Sequence, residues 1–539
     1  MRSSLLSLLL PAVLAVGAGA PAFADGEVPT PAKNDNVLRL GNGDEPQGLD
    51  PHLVSGVIEH NILMSLLEGL CAEDPKTLQP VPGAAEKWEI SDDGTVYTFT
   101  LRENGRWSNG DPVTAEDFRF SFERILSPRL AGEYAYMLHV IKNARAFNEG
   151  RITDFSDVGV KVMGDKVLQI TLEAPTAYFL SVQSHFCYFP VHKATILEHG
   201  KIDDRDTGWT RAGSFVGNGP FQLEEWKVNE VIRVKPNPAY WDAAAVKLAG
   251  IEFYPVKQAE TEERMFRAGQ LDRTNTIPLP KLDTYKQKFP NLLRRDPYLA
   301  TAYYLFNTTR KPFNDLRVRK AFSLAINRQA ICDRILKGGQ TPALYLTPPD
   351  TAGFTSRSAL AGTLDEARKL LADAGYPGGR GFPDVDLLYN TSDNQRIMAE
   401  IVQQMWNREL GVKVNLVNQE WKVYMDTRRK LDFSICRAGW TADYNDPMSF
   451  LDLFVTGGGN NNTGWSSAAY DAAIAEAGRT TGGPRMEAFQ RAEALLAAEL
   501  PILTLYHYRT VNLVHPRVRG WNPTNLDHHP YKHVSLKAD

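Results

Sequence analysis

The sequence predicts an α/β fold that is divided into more than one domain. Strand and helix patterns alternate as β-α-β-α-β between residues 385 and 438. Such alternation predicts parallel strands joined by right-handed crossover helices in a doubly wound sheet. The chain has 539 residues, which is too long for a single hydrophobic core and predicts about two or three domains.

Composition and charge argue against several classes of protein. Hydrophobic residues make up 43% and charged residues 23% of the chain, values that are ordinary for a soluble globular protein. The net charge is −4, with both signs mixed along the chain. Neither a nucleic-acid-binding stripe nor a polybasic arm for a membrane surface is therefore indicated.

The first block of the chain begins with strand and hairpin patterns. Residues 37–46 are typical of a strand that runs into a turn, and apolar residues at helical spacing predict a helix near 60–69. Asp93-Gly94 lies between two strand patterns and predicts a hairpin. Thr114 and Asp117 form a capping-box pattern, which predicts the start of a helix.

The middle block, roughly residues 190–300, mixes strand patterns with turn residues. Strands are predicted within 218–226, 231–241 and 251–256. We expect an α+β layer without internal repeats here.

The third block carries the alternation that defines the fold class. Thr363 is predicted to cap a helix, with Glu366 at the capping-box position and Gly375 at the C-cap. The elements that follow are predicted as a strand at 385–390, a helix at about 395–410, a strand at 412–417, a helix near 420–429 and a strand at 432–438.

The ends of these strands point to a binding site around Asp443. Ligands of doubly wound sheets bind beyond the carboxyl ends of the strands, and both Asn390 and the segment RAGWTADYNDP (437–447) lie at such ends. In a poorly hydrated cleft, a carboxylate there pairs strongly with a cationic group of a ligand. An Asx-turn or a helix cap before Pro447 is the structural alternative for Asp443.

Aromatic and basic residues lie close to this carboxylate in the sequence. Trp421, Trp440 and Tyr444 are rigid, flat side chains that suit the walls of a ligand cleft. Arg428 and Arg437 are candidate forks for a carboxylate at the other end of the ligand, with surface salt bridges as the alternative.

The sequence contains none of the common catalytic or cofactor motifs. H-E-x-x-H, G-x-S-x-G, Walker and C-x-x-C patterns are absent, so we expect no cofactor, no metal and no enzymatic activity. The pair His528-His529 is interpreted as a surface turn. The chain contains four widely spaced cysteines, Cys71, Cys187, Cys332 and Cys436. They could form disulfides in three different pairings, but buried free thiols are the favoured interpretation.

The N-terminus carries the parts of a secretory signal peptide. Arg2 precedes an apolar run that contains Pro11, and an A-x-A pattern follows at 22–24. We expect residues 1–24 to be removed near Ala24–Asp25, which leaves a soluble protein outside the cytoplasmic membrane. A membrane anchor is the alternative, but no other segment approaches the roughly 20 apolar residues of a spanning helix.

Longer motifs make the sequence resemble a known family. They are GLDPH (48–52), LLEGL (66–70), the stretch from AEKWEISDDG to PVTAEDF (85–118), FNDLRVRKA (313–321), LLYNTSD (387–393), VNQEW (417–421), DTR (426–428) and RAGWTADYNDP (437–447). With these motifs, the mature chain resembles the periplasmic oligopeptide-binding proteins of bacterial ABC importers, which are solute-binding proteins of family 5, cluster C. The last four motifs are specific to the oligopeptide branch.

The resemblance implies a fold like that of type II periplasmic binding proteins, with three lobes, two of which close over the ligand by hinge bending. The hinge strands are expected at 301–307 and 506–510. The expected lobes are 25–67 with 194–299 and 511–539 for lobe I, 68–193 for the extra lobe II, and 300–510 for lobe III, which carries the main ligand contacts.

The resemblance also implies roles for individual residues. Asp443 matches the residue that pairs with the α-ammonium group of the peptide. Arg437 and Arg428 match arginines that meet the carboxylates of peptides of different length. Further positions of the cleft are Val57, Tyr134, Tyr303, Asn390, Gln395, Trp421, Gly439, Trp440 and Tyr508.

The sequence departs from the family pattern at several positions. Ala300 and Thr441 stand where a disulfide often joins the first hinge strand to the segment before the anchoring aspartate. Ser55 and Leu305 replace acidic residues, Gln395 (beside Arg396) replaces a histidine, and Leu336 (beside Lys337) replaces a lysine. These changes leave the preferred peptide length open.

Together, the residues and the resemblance predict a monomeric, non-enzymatic periplasmic receptor. It captures short peptides and delivers them to an inner-membrane ABC permease. A peptide held by its backbone and termini leaves its side chains in water-filled pockets, which gives little side-chain specificity. The alternatives are a relative tuned to murein peptides, dipeptides or a metal chelate, and a secreted hydrolase that uses Asp443.

Overall fold

A computed structural model gives the structure of residues 28–31, 33 and 35–537. The predicted signal peptide and its cleavage point lie outside these described residues. Within the described part of the chain, no helix combines the length and the apolar character that crossing a membrane requires.

Strands and helices interleave along the whole described chain. The strands are β1 (Val37–Gly41), β2 (Cys71–Glu73), β3 (Pro80–Pro82), β4 (Ala85–Ile90), β5 (Val96–Leu101), β6 (Val160–Gly164), β7 (Val167–Thr171), β8 (Phe221–Lys227), β9 (Val231–Pro236), β10 (Gly250–Tyr254), β11 (Leu293–Arg294), β12 (Pro297–Phe306), β13 (Thr341–Pro342), β14 (Asp386–Asn390), β15 (Asn415–Gln419), β16 (Ile435–Thr441), β17 (Ile502–Arg509), β18 (Asn512–Leu513), β19 (Val518–Arg519) and β20 (Ser535–Leu536). The α-helices are α1 (Val57–Leu66), α2 (Ala115–Leu126), α3 (Ala144–Asn148), α4 (Phe179–Val182), α5 (Lys193–His199), α6 (Ala259–Arg267), α7 (Leu282–Lys288), α8 (Leu316–Leu324), α9 (Arg328–Ala330), α10 (Leu364–Asp373), α11 (Asp393–Leu410), α12 (Trp421–Arg429), α13 (Met448–Leu451), α14 (Ala468–Ala477) and α15 (Gly482–Glu499).

A four-stranded sheet with the order β4-β5-β7-β6 forms within residues 85–171. The predicted hairpin joins β4 to β5, and Gly94 in its turn has a φ of +69°. Helix α2 packs against β6 and β7 and begins at the predicted capping box. There the Thr114 hydroxyl accepts from the Asp117 N–H, and the Asp117 carboxylate accepts from the Thr114 N–H at 2.8 Å.

A second four-stranded sheet joins distant parts of the chain in the order β1-β10-β9-β8. Strand β1 is parallel to β10, whereas β8, β9 and β10 form antiparallel pairs. The three strands predicted for the middle block are therefore present. Helix α1 spans 57–66 rather than the predicted 60–69, because Leu67 already has extended backbone dihedral angles.

The six-stranded sheet contains the predicted β-α-β-α-β alternation and has the order β13-β17-β12-β16-β14-β15. Strand β14 is parallel to both β15 and β16. The doubly wound prediction holds for these three strands only, because the pairs that involve β12, β13 and β17 are antiparallel. The predicted hinge segments 301–307 and 506–510 overlap β12 and β17, which pair with each other.

Three local predictions in this block are wrong, and one of them is the start of β16, which lies at Ile435 rather than at 432. Strand β15 begins at Asn415 rather than at 412, because its pairing with β14 starts at Asn415. Val412 and Val414 are buried like strand residues, but they precede this pairing. Thr363 caps α10 through the N–H of Glu366 at 3.2 Å, but the capping box is only half formed. The Glu366 carboxylate instead accepts from Nζ of Lys320 at 2.7 Å.

Candidate functional site

A cavity of about 430 Å³ lies between the six-stranded sheet and the part of the chain that precedes it. Its walls come from the N-terminal end of α1, from residues 185–186, from α12 and from the ends of β14, β16 and β17. The carboxyl ends of β14 and β16 therefore border the cavity, as the strand pattern predicted.

Eleven of the twelve ligand-contacting residues predicted from the sequence line this cavity: Val57, Tyr134, Asn390, Gln395, Trp421, Arg428, Arg437, Gly439, Trp440, Asp443 and Tyr508. Tyr303 lies outside the lining, because its buried ring packs edge-on against Phe454. Tyr444, which the sequence predicted as a wall of the cleft, is also buried outside the lining and stacks on Tyr178 at 4.6 Å.

Asp443 is held through one of its two carboxylate oxygens. Oδ1 accepts a hydrogen bond from the Tyr134 hydroxyl at 3.1 Å and lies 3.2 Å from Nε2 of His185. Burial and the nearby Asp443 carboxylate raise the pKa of Tyr134 well above its usual value, so the hydroxyl keeps its proton and donates it. The structure gives Oδ2 no hydrogen-bond partner among the described residues, so this oxygen remains for a ligand.

His185 acts as the second donor to the Asp443 carboxylate. Its Nδ1 accepts from the backbone N–H of Cys187 at 3.3 Å, so in the neutral ring the proton sits on Nε2 and points to Oδ1. The His185 side chain is only 2% exposed. No motif in the sequence marks His185, because it lies in a short loop.

The turn-capping role proposed as the alternative for Asp443 belongs to Asp446. Its Oδ1 accepts from the N–H of Met448 at 2.9 Å, and its carboxylate forms a buried fork with Arg485 at 2.7 and 2.8 Å. The Asp443 backbone N–H donates to Ser449 Oγ at 2.8 Å, but its carboxylate takes no part in the turn. The charge of Asp443 is therefore not needed for local structure.

Arg437 has only uncharged hydrogen-bond partners among the described residues. Its guanidinium donates to Gln395 Oε1 at 3.1 Å, to Asn390 Oδ1 at 3.4 Å and to the Tyr508 hydroxyl at 3.2 Å. Three contacts from three elements hold the group rigidly against the cavity. Its positive charge is not balanced by a neighbouring carboxylate.

Arg428 and Trp440 also present unsatisfied donors. Nε of Arg428 and Nε1 of Trp440 are buried without a hydrogen-bond partner among the described residues. An unsatisfied buried donor costs about 1–3 kcal/mol. A ligand that brings carbonyl and carboxylate oxygens into the cavity supplies the missing acceptors.

The positions where the sequence departs from its family have clear local structures. Ala300 and Thr441 are direct partners on β12 and β16, and Thr441 Oγ1 donates to the Tyr298 hydroxyl at 2.9 Å. All four cysteines are buried and free, in agreement with the favoured interpretation.

The basic residues beside Gln395 and Leu336 point to other partners. Arg396 pairs with Glu400 at 2.9 Å, and Lys337 pairs with Asp283 at 2.6 Å. Neither residue lines the cavity, whereas Gln395 and Leu336 do. The neighbouring cations therefore do not replace the histidine and lysine that the family carries at these two positions.

The side chains of His528 and His529 are only 10% and 5% exposed, so the pair is not the surface turn that the sequence predicted. The His528 ring stacks on His60 at 4.3 Å, and the His529 ring stacks on Trp521 at 3.9 Å. Burial disfavours the charged form of His528, but the Glu73 carboxylate 2.9 Å away raises its pKa above the usual value. Across residues 28–31, 33 and 35–537, no three His, Cys, Asp or Glu side chains are grouped to hold a metal ion.

The chain is similar to known solute-binding proteins. The family model for bacterial extracellular solute-binding proteins, family 5 Middle, matches residues 79–462. The periplasmic oligopeptide-binding protein OppA of Salmonella typhimurium is 38% identical over 527 residues, which cover 96% of this chain and 95% of that protein.

Two solved structures bear on how the halves of the cavity are arranged. OppA of Haemophilus influenzae in complex with the peptide RPPGFSPFR is 31% identical, with a TM-score of 0.88 over 94% of this chain and 99% of that one. The murein tripeptide-binding protein MppA in its unliganded open form is 35% identical, with a TM-score of 0.62 over 94% of this chain and 98% of that one. The less similar sequence gives the better superposition, so the chain as a whole is arranged more like the peptide complex than like the open form.

Proposed function

Because the chain belongs to family 5 of the bacterial extracellular solute-binding proteins, we propose that it is a periplasmic receptor for short peptides. It captures them with little side-chain specificity and delivers them to the permease of an ABC transporter for import. The predicted signal peptide and the relatives that are named as periplasmic proteins support this location.

The observation that carries the proposal is the state of the Asp443 carboxylate. Tyr134 and His185 hold Oδ1 at 3.1 and 3.2 Å, while Oδ2 has no partner among the described residues. A peptide α-ammonium group fits this oxygen because a charge-assisted hydrogen bond in a closed cavity is about twice as strong as a neutral one. The unbalanced guanidinium of Arg437 provides a complementary place for a carboxylate.

Contacts across the cavity support capture by closure. Glu133, in the loop after α2, accepts from Ser55 Oγ at 2.7 Å and pairs with Arg429 of α12. Arg429 also donates to Gln47 Oε1 at 2.9 Å. These contacts join three separate parts of the chain, and one of the residues, Ser55, lines the cavity. A ligand that binds the closed arrangement better than the open one shifts the population toward the closed form, which the transporter then recognises.

Mass spectrometry of ligands that co-purify with the protein from the periplasm tests the proposal. We expect a mixture of short peptides with free α-ammonium groups and varied side chains. A co-purified ligand without an amino group would overturn it.

A secreted hydrolase is the remote alternative from another class. Incubation of the protein with an equimolar peptide separates the two functions, because a receptor returns the peptide intact. Cleavage products at this ratio would establish the hydrolase instead.

Murein peptides are the second candidate ligands. The named murein peptide-binding relative MppA of Escherichia coli is 36% identical over 89% of this chain, close to the match with the oligopeptide-binding proteins. The composition of the co-purified ligands distinguishes the two, because murein peptides contain residues that are absent from ordinary proteins.

A further inference from the structure

The groups that line the cavity carry more positive than negative charge. Five arginine and lysine side chains line it, namely Lys257, Arg273, Arg428, Arg437 and Arg509. Three carboxylates line it, namely Asp44, Asp443 and Asp527. A zwitterionic peptide adds one charge of each sign and so leaves this excess unchanged.

Two of the cations are already neutralised by the protein. Lys257 lies 3.0 Å from Asp44, and Arg273 lies 2.8 Å from Asp527. Asp443 is the remaining carboxylate, and under the proposed function it pairs with the ligand's ammonium group. Among the described residues that line the cavity, no carboxylate is then left for the other cations.

Three arginines of the cavity therefore lack a carboxylate partner within the described chain. Arg437 contacts only neutral oxygens, Arg428 has a buried Nε without an acceptor, and Arg509 donates to the backbone oxygen of Arg295 at 3.0 Å. Glu133 is an acidic residue whose charge acts on Arg428. Its carboxylate is already engaged, because it accepts from Ser55 and pairs with Arg429.

An unpaired arginine in a closed cavity is unfavourable, because it has lost part of its hydration without gaining a counter-charge. Arg509 makes its hydrogen bond in an exposed position, so the argument applies to Arg428 and Arg437, and the C-terminal carboxylate of a peptide neutralises one of these two. We infer that the preferred ligands bring a second anionic group, so that this receptor selects short peptides with an acidic side chain. The inference rests on the proposed function and adds a charge preference to a site that otherwise tolerates varied side chains.

Arg428 is the arginine assigned to the acidic side chain. Arg437 lies at the end of β16 with its fork fixed by Gln395, Asn390 and Tyr508, which suits the invariant C-terminal carboxylate. Arg428 makes no such set of contacts, and its Nε is a buried donor without an acceptor, so its guanidinium can accept an acidic side chain of the ligand. In the alternative arrangement, either arginine binds the C-terminal carboxylate, and the length of the peptide decides which of the two does so. That arrangement predicts no preference for acidic side chains.

Titration calorimetry with matched tripeptides separates these two arrangements. Glu is placed at each position of trialanine in turn and compared with Gln at the same position, so that length and shape are constant. We expect the best Glu peptide to bind at least tenfold more tightly than its Gln partner, and the corresponding Lys peptide to bind more weakly than either. Equal affinities for Glu and Gln at every position would overturn the inference.

Variants of two cations on α12 locate the effect. Arg428→Gln is expected to bring the Glu-to-Gln affinity ratio close to one, whereas Lys422→Gln keeps the ratio because the exposed Lys422 does not line the cavity. A ratio that persists in the Arg428→Gln variant would remove Arg428 from this role. Failure of free di-, tri-, tetra- and pentapeptides alike to bind would instead refute the proposed function, so the two failures are distinguishable.

Discussion

The proposed ion pair at Asp443 is tested by removing the charge on either side of it. N-acetylation removes the positive charge of the peptide, and Asp443→Asn removes the negative charge while it keeps an oxygen for Tyr134 and His185. The Asp443 side chain is only 10% exposed, so water screens the pair weakly. Two unit charges about 4 Å apart interact by about 4 kcal/mol at an effective dielectric constant of about 20.

Truncation of one partner in such a pair costs about 2–5 kcal/mol. Either change alone is therefore expected to raise Kd by about 30-fold to several thousand-fold. Titration calorimetry with free and acetylated forms of one peptide, on the wild-type protein and on the Asp443→Asn variant, measures all four affinities. Because both changes remove the same interaction, acetylation is expected to have little further effect in the variant.

Tyr134→Phe is the matched control, because it removes one hydrogen bond to Oδ1 and leaves the charge of Asp443 in place. A net loss of about 0.5–1.5 kcal/mol is expected, which corresponds to about tenfold or less in Kd. Thermal unfolding of the Asp443→Asn variant should match that of the wild type, since Asp446 caps the turn. Equal affinity of free and acetylated peptides for the wild-type protein would refute the anchor.

Three further results are expected. Burial raises the pKa of Glu59 to about 7, above its value in the unfolded chain, so ionisation of Glu59 destabilises the fold progressively as the pH rises from about 4.5 to 7. Glu59→Gln should therefore increase the free energy of unfolding by up to about 3 kcal/mol at pH 8 and change it little at pH 4. An equal gain at both pH values would contradict this. Arg429→Gln removes the ion pair with Glu133. If this contact holds the closed form, its loss should increase the rate of peptide release in stopped-flow measurements. An unchanged release rate would show that the contact does not hold the closed form. Ala300 and Thr441 are direct partners on adjacent strands, so cysteines at both positions should form a disulfide. The disulfide should raise the melting temperature under oxidising conditions and not after reduction. Persistence of both free thiols would argue against this pairing of the two strands.

Elements that depend on neighbours in the sequence were predictable. Helix α2 begins where Thr114 and Asp117 satisfy each other's backbone N–H groups, an interaction that spans only four residues. The start of β15 was not predictable in this way, because Val412 and Val414 alternate like strand residues and are buried, yet they precede the ladder. A strand begins where its partner begins, and that partner belongs to another part of the chain.

The mixed character of the six-stranded sheet has the same origin. The alternation between 385 and 438 predicts the three parallel strands because their crossover helices lie next to them in the sequence. Strands β12 and β17 join this sheet from segments about 200 residues apart. Their direction relative to β16 is not encoded in any local pattern, since period-two alternation is the same for parallel and antiparallel strands.

The sequence by itself determined the fold class, the family and eleven of the residues that line the cavity. Periodicity, capping pairs and motifs report on contacts over short stretches, and RAGWTADYNDP carries Asp443 and Arg437 within seven residues. Only the tertiary structure decided which charges are paired. His185 reaches Asp443 across more than 250 residues of chain. Arg428 forms no ion pair with Asp426 or Asp432, the carboxylates near it in the sequence, which pair with Lys430 and Arg310 instead. The physical reason is that hydrogen bonds and ion pairs act over about 3–4 Å in space, and the folding of distant segments alone decides which groups come that close.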